Sequence, residues 1–94
     1  SDNIIEGLKF AKSIYIISDH SEIIAQTIMT ELGRGVTGVA VKGMYSGEGR
    51  QMLYCVVSKK EITQIKEIVT RFDRGAFVIV EDAREVLGEG FMEY

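Results

Sequence analysis

Three glycines in the stretch ELGRGVTGVAVKG, Glu31 to Gly43, stand as Gly33-x-Gly35-x-x-Gly38. In dinucleotide-binding proteins that spacing wraps backbone N–H groups around a pyrophosphate. The chemistry requires the glycines to follow a strand and open a helix, so that the positive end of the helix dipole faces the phosphate. Here they follow a helical pattern and open a strand-like one, so the first of them meets the carbonyl end of the dipole, which repels anions. Gly33 therefore reads as the left-handed residue that stops a helix. Gly35 and Gly38 read as points of close backbone approach.

The remaining groups with chemical potential are few. Arg34, Lys42, Arg50 and Arg74 lie near the glycine turns and together could receive an anion, a plain surface role being the alternative. His20, the one histidine, has only Asp19 and Glu22 as close acidic neighbours, whereas a metal site needs three or four convergent ligands. Cys55 sits inside the apolar run MLYCVV and reads as a small core residue rather than an activated nucleophile. Glu81, Asp82, Glu85 and Glu89 could surround a divalent cation, but their spacing is not that of an EF-hand, and a solvated acidic edge that blunts strand pairing is the better reading. Tyr45 could stack on a base or fill a groove between subunits. No Ser-His-Asp or Cys-His set can be assembled, so no enzyme, no cofactor and no metal site are expected.

These residues are carried by a regular order of elements. SIYIIS (Ser13–Ser18) is apolar on both parities, as in a strand buried on two sides. Asp19 and Glu22 stand in capping-box spacing, followed by a helical stripe of Ile24, Ile28 and Leu32 with Ala25 and Met29, ending at Gly33. Two further runs, Val36 to about Tyr45 and Arg50–Ser58, flank the turn formers Ser46–Gly49 and should pair as a hairpin. Ser58 and Glu61 make a second capping box before Ile62, Ile65, Ile68, Val69 and Phe72, with Asp73-Arg74-Gly75 as the stop. AFVIV (Ala76–Val80) is the last strand. The order strand, helix, strand, strand, helix, strand predicts an α+β, ferredoxin-like βαββαβ sandwich, a four-stranded antiparallel sheet with both helices on one face.

Ninety-four residues, 46% hydrophobic and 27% charged, make one globular domain. A net charge of -3 offers no broad basic surface for a phosphate backbone, so nucleic acid is not expected as a partner. The lone cysteine fits a reducing compartment, and no apolar stretch approaches the ~20 residues that cross a bilayer. Helices can cover only one face of the sheet, yet Tyr15, Ile17, Met52, Tyr54, Val56, Phe77 and Ile79 alternate with equally apolar neighbours. The uncovered face predicts self-association or docking to another domain.

ELGRGVTGVAVKG, GEGRQ and GAFVIVEDAREV resemble the PII-type signal-transduction proteins from Ser13 to Val86. RGVTG, G-x-Y-S-G, CVVSKKE, AFVIV and LGEGF resemble more closely the domain of unknown function that ends the YitT-type bacterial membrane proteins, over practically the whole chain. This second resemblance implies a PII-like domain behind membrane spans: residues 1–12, whose Ile4, Ile5 and Leu8 follow helical spacing, as a linker from an upstream membrane region, and 13–94 as the domain, at the cytoplasmic face of the membrane. It further implies a homo-oligomer, dimer or trimer, with a small anion or nucleotide held between subunits. Thr37 matches the threonine that PII-type proteins use near the base. Their long loop is represented here only by YSGEG, FDRGAF supplies only Arg74 and Gly75 for phosphate, and EVLGEGF lacks their arginines. What remains implies a smaller anion or a cyclic di-AMP-like nucleotide on Arg34, Gly35, Thr37, Gly43 and Arg74: Thr37 on the ligand's polar edge, the arginines on its charge, the glycines allowing close approach. The alternative is a purely structural oligomerisation domain without ligand.

Overall fold

The computed structural model describes residues 11–44, 47 and 49–83. Along the chain come β1 (Ala11–Ile17), α1 (Ser21–Leu32), β2 (Thr37–Lys42), β3 (Gly49–Ser58), a single 3-10 turn at Lys59–Glu61, α2 (Ile62–Phe72) and β4 (Phe77–Asp82). The sheet has the order β2-β3-β1-β4 with every neighbouring pair antiparallel, the ferredoxin-like arrangement. The central strands β1 and β3 are apolar on both parities, as is the edge strand β4 from Phe77 to Val80. The turn residues Tyr45, Ser46 and Glu48, the carboxylates Glu85 and Glu89 and residues 1–10 lie outside the described residues.

Alternation sets which side each strand residue faces. Ile14 and Ile16 of β1 with Leu53, Cys55 and Val57 of β3 are buried against Ile24 and Ile28 of α1 and Ile65, Ile68 and Val69 of α2. Each such aliphatic side chain contributes about 1.5–3 kcal/mol by leaving water. Ala25, Leu32, Ile62 and Phe72 extend the two helical stripes at the margin of the core. Met29, expected on the stripe of α1, is exposed. It lies one residue beyond Ile28, about 100° round the helix, and the opposing α2 fills the seam with Ile28 and Leu32.

The elements stop where local chemistry stops them. Gly33 adopts φ 66°, ψ 23°, and its N–H donates to the carbonyl of Met29, the left-handed helix end expected of it. The second capping box is present: the Ser58 N–H and hydroxyl both donate to Glu61 Oε1, at 2.8 and 2.9 Å, although the turn it caps is 3-10 before α2 begins. The first is not. The N-cap of α1 is His20, without a side-chain cap, because the Asp19 carboxylate is turned to Arg50, with Oδ1 3.3 Å from Nε. Ser18 ends β1 instead, its hydroxyl accepting the His20 N–H at 2.9 Å. β4 runs on through Glu81 and Asp82 rather than stopping at Val80, since Asp82 is ion-paired with Lys12 on the adjoining strand.

Ser18 is also a buried polar group, and its hydroxyl donates to Asp73 Oδ2 at 2.6 Å while Asp73 Oδ1 accepts the Gly75 N–H at 3.0 Å. The start of α1 is thereby tied to the end of α2. The Ser18 hydrogen bond, outweighing the cost of burial and helped by Gly75 and the neighbouring His20, holds the Asp73 carboxyl below its usual 3.8. A carboxyl lowered on folding stabilises the protein above its unfolded value and loses that contribution as pH falls through the native one. In urea unfolding series, the stability gap between the wild-type protein and Asp73→Asn should be widest above about pH 4 and narrow progressively as the pH falls below it. A gap that does not change with pH would mean that ionised Asp73 contributes nothing.

Candidate functional site

Two surfaces collect the residues with chemical potential. The first is the sheet face away from the helices. Residues opposite one another in the ladders form cross-strand rows: Thr37, Tyr54, Tyr15 and Ile79 in one, and Val39, Met52, Ile17 and Phe77 in the next. The apolar set expected on this face is therefore gathered there. Both helices pack on the opposite side, so among the described residues no helix covers these rows. Phe77 is 67% exposed, Ile79 46% and Val39 39%, while Tyr15, Ile17, Met52, Tyr54 and Val56 are half-buried by their neighbours in the sheet.

The face has a polar end. Tyr15 and Tyr54 are directly opposite, their ring centroids 5.0 Å apart at a tilt of 44°, a favourable aromatic pairing. The Tyr54 hydroxyl lies 3.4 Å from Ser13 Oγ. Burial first, and then the negative charge of Glu81, to which its hydroxyl is hydrogen-bonded, push the Tyr15 phenol above its usual 10.0. The open side of the sheet thus grades from Val39, Met52, Ile17 and Phe77 at one end to Ser13, Glu81 and two phenol hydroxyls at the other.

The second surface is the head of β2. Arg34, Gly35 and Thr37 follow α1 and enter the strand. Arg34 Nε donates to both oxygens of Glu61, at 3.1 and 3.3 Å, and the same carboxylate holds the two Ser58 donors. One carboxylate thus gathers the guanidinium and the cap of the next helical turn. Local spacing assigns Glu61 its capping role but carries no sign of Arg34, 27 residues earlier. Thr37 is exposed beside Tyr54. Gly35 has open space where a side chain would begin, whereas at Gly38 a Cβ would stand 2.9 Å from Gln51 Nε2. Close approach is thus real at Gly38, through the end of a flexible side chain, and not at Gly35.

The other expected site residues lie elsewhere. Gly43 is past the far end of β2, where its carbonyl accepts the Gly47 N–H at 2.7 Å and closes the hairpin turn. Arg74 is in the turn before β4, at the opposite edge of the sheet from β2. It lines an open depression of about 530 Å³ with Glu67, Thr70 and Arg71. Arg71 is itself held by Glu31 at 2.9 Å and Glu67 at 3.7 Å. Within one chain, then, Arg34, Gly35 and Thr37 are neighbours only along the chain, with Arg34 held at Glu61 and Thr37 opposite Tyr54, and Gly43 and Arg74 lie elsewhere. His20 is exposed at the start of α1, and among the described residues no group of three or more His, Cys, Asp or Glu side chains could hold a metal ion.

Comparison with known proteins gives these surfaces a context. The model of the family described as "Uncharacterized protein conserved in bacteria (DUF2179)" matches residues 34–88. The Bacillus subtilis protein named UPF0750 membrane protein YxkD is 45% identical over 92 residues, 98% of this chain and 33% of that protein. UPF0750 membrane protein YitT of the same organism is 26% identical over 73 residues, 78% of this chain and 26% of that protein. The chain thus spans about a third or less of these relatives' length. Among the described residues no helix is long and apolar enough to cross a membrane. The crystal structure of a DUF2179 protein from Eubacterium ventriosum superposes with a TM-score of 0.67 at 30% identity, covering 76% of this chain and 97% of that one. Arabidopsis thaliana PII, solved bound to citrate, superposes with a TM-score of 0.60 at 19% identity over 77% of this chain and 75% of that one. This last likeness is one of fold: the architecture is PII-like.

Cys55 completes the inventory. Burial, and secondarily the charge of Glu61, push its thiol up to about 11, so near neutrality it is protonated as well as enclosed. A thiol-specific disulfide dye at pH 8 should leave the native protein unlabelled and label it promptly in denaturant, where the thiol regains an ordinary pKa near about 8.5. Equal labelling rates in the two conditions would show Cys55 to be accessible.

Proposed function

The chain belongs to the DUF2179 family, and from that premise we propose that it is the cytoplasmic regulatory or sensing domain of a YitT-like membrane protein, which self-associates through the open face of its sheet and takes a small anionic ligand at a subunit boundary. One observation carries the reading: a sheet apolar on both sides, with Phe77, Ile79 and Val39 exposed on the side that neither helix covers. Soluble monomers rarely leave a contiguous patch of this kind in water. A second copy meets the need without any further partner.

The ligand part of the proposal rests on Arg34, Gly35 and Thr37. They are adjacent, Thr37 offers an exposed hydroxyl, and the β2 margin where they lie is at the edge of the face that would meet a neighbouring subunit. A solved PII protein holds citrate, so a polycarboxylate joins inorganic phosphate and nucleotides among the anions worth testing. With only part of a phosphate grip present, a small anion or a compact cyclic nucleotide fits better than a nucleoside triphosphate. No enzyme activity belongs to this reading.

A ligand-free assembly domain is the competing reading, and one contact favours it: Arg34 is engaged by Glu61 on both carboxylate oxygens, so its charge is already compensated. Two measurements separate the possibilities. In light scattering, the 94-residue chain should have the mass of an oligomer, and Met52→Lys, a charge placed in the apolar row of the open face, should reduce it without loss of the circular dichroism spectrum. In thermal-shift series with phosphate, citrate, ATP and cyclic di-AMP, a ligand selective for the folded oligomer raises the melting temperature, and Thr37→Ala should abolish the rise. A monomer at high concentration would end the association proposal. An oligomer whose melting temperature none of these anions changes would leave the structural role.

A further inference from the structure

The edge strand β4 has a surface that covering the open face would not account for. The Ala83 N–H donates to the Ala11 carbonyl at 3.1 Å, continuing the register in which Lys12 stands opposite Asp82. In an antiparallel ladder, bonding alternates along the strand. Glu81, Ile79 and Phe77 therefore turn their N–H and C=O groups to β1, and Val78, Val80 and Asp82 turn theirs outward. Edges of this kind are usually blunted by a charge, a proline or a bulge. From Phe77 to Val80 there is none of these, and the charges that could blunt the edge, Glu81 and Asp82, stand only at its end, Asp82 paired with Lys12. Side chains on both faces of β4 are exposed as well: Phe77 and Ile79 on the open side, and Val80, at 37%, on the helix side. The opposite edge is less adhesive, since β2 carries Thr37, Gly38, Ala40 and Lys42, and the Gln51 side chain lies across Gly38.

The charges indicate what pairs with this edge. Exposed Arg74 precedes β4, and Glu81 and Asp82 end it. A second β4 in antiparallel orientation brings the basic end of each copy to the acidic end of the other, whereas a parallel one sets like charges side by side. We infer that two copies of this chain join through antiparallel pairing of their β4 edges, with Val78 on the two-fold axis, into one eight-stranded sheet. A two-fold axis normal to the sheet keeps both helix layers on one side, and residues opposite each other then share a face. Centred on Val78, the pairing sets Phe77 against Ile79 of the other copy, an aromatic and β-branched pair of the favourable kind. It also sets Ala76 against Val80 and brings Arg74 close to Asp82. Centred on Ile79 it would set Phe77 against Glu81, an apolar ring against a carboxylate. Arg74, which stands apart from Thr37 within one chain, thus acquires a role in assembly.

A strand this short buries far less than the roughly 1,200–2,000 Å² of a stable interface, so this contact is concentration-dependent, and it does not depend on association through the sheet face. The direct test is oxidative cross-linking of the 94-residue chain on a Cys55→Ser background. Opposed residues of a hydrogen-bonded antiparallel pair have Cα atoms about 5.5 Å apart, within disulfide reach. Val78→Cys should therefore give a disulfide-linked dimer, and Ile79→Cys, displaced from the axis, should give much less. In sedimentation at matched concentration on a Met52→Lys background, Val78→Pro removes an outward N–H without touching the bonds to β1, and it should abolish the remaining dimer while leaving circular dichroism unchanged. Arg74→Glu should weaken the same dimer about three- to tenfold. The inference is overturned if the Val78→Cys variant does not cross-link, if the Ile79→Cys variant links as readily, or if Met52→Lys is a monomer at millimolar concentration. A loss of face association leaves each of these outcomes readable.

Discussion

The structure depends on a mismatch between what its sheet excludes from water and what its helices can cover. β1 and β3 are apolar on both parities, so whichever side the helices take, an apolar side is left. α1 and α2 settle on the side of Ile14, Ile16, Leu53, Cys55 and Val57 and complete a core there with five of their own aliphatic residues. On the other side the burial available within the sheet is lateral only. Tyr15 and Tyr54 shield each other and Ile17 leans on Met52, while Phe77 on the edge strand has a neighbour on one flank alone and stays the most exposed of the row. The gradient of exposure from the centre of the sheet to its edges follows from strand order.

Polar residues in this chain serve to join elements. Glu61 receives Ser58 and Arg34, Asp19 lies against Arg50, Asp73 receives Ser18 and Gly75, and Glu31 receives Arg71. Each arrangement fixes a turn or a helix end relative to a distant strand or helix. The exposed pairs among them contribute little to stability individually, a few tenths of a kcal/mol to about 1. Their larger effect is to leave Arg34 and Arg71 compensated by carboxylates. An anion that displaced Glu61 from Arg34 would loosen the cap before α2. The head of β2 is thereby linked through Glu61 to the β3–α2 junction.

Alternation, helical stripes and glycine position are enough to give the element order and the two faces of each strand, because these depend on residues close in sequence, and the antiparallel sheet follows from that order although it sets Lys12 beside Asp82, 70 residues away. The reversed order of helix and strand around Gly33 likewise ruled out a dinucleotide loop without a structure. The first capping box does not form, and the Asp19 carboxylate lies instead against Arg50, a residue far along the chain that local spacing does not reveal. The extension of β4 through Asp82 is likewise hidden from local spacing, its partner Lys12 lying 70 residues earlier. The candidate site was legible only as residue types. That Arg34 and Thr37 share one margin while Arg74 stands at the opposite edge is a consequence of the strand order β2-β3-β1-β4, and residues chosen for chemistry alone carry no information on that order.

The polar end of the open face constrains whatever comes to cover it. Transfer of the apolar rows out of water is non-directional and would tolerate many orientations of a partner. Ser13, the two phenol hydroxyls and Glu81 would not: each, once covered, needs a hydrogen-bond partner, and an unpaired buried group costs about 1–3 kcal/mol. The Tyr15 hydroxyl already has the Glu81 carboxylate, and Tyr54 has Ser13 within reach, so this polar corner satisfies part of its own demand. Glu81 retains acceptor capacity that only a donor, or water admitted at the rim, can fill. For any partner on this face, apolar area would supply the drive, and the Tyr15–Glu81 corner would select the orientation in which it could sit.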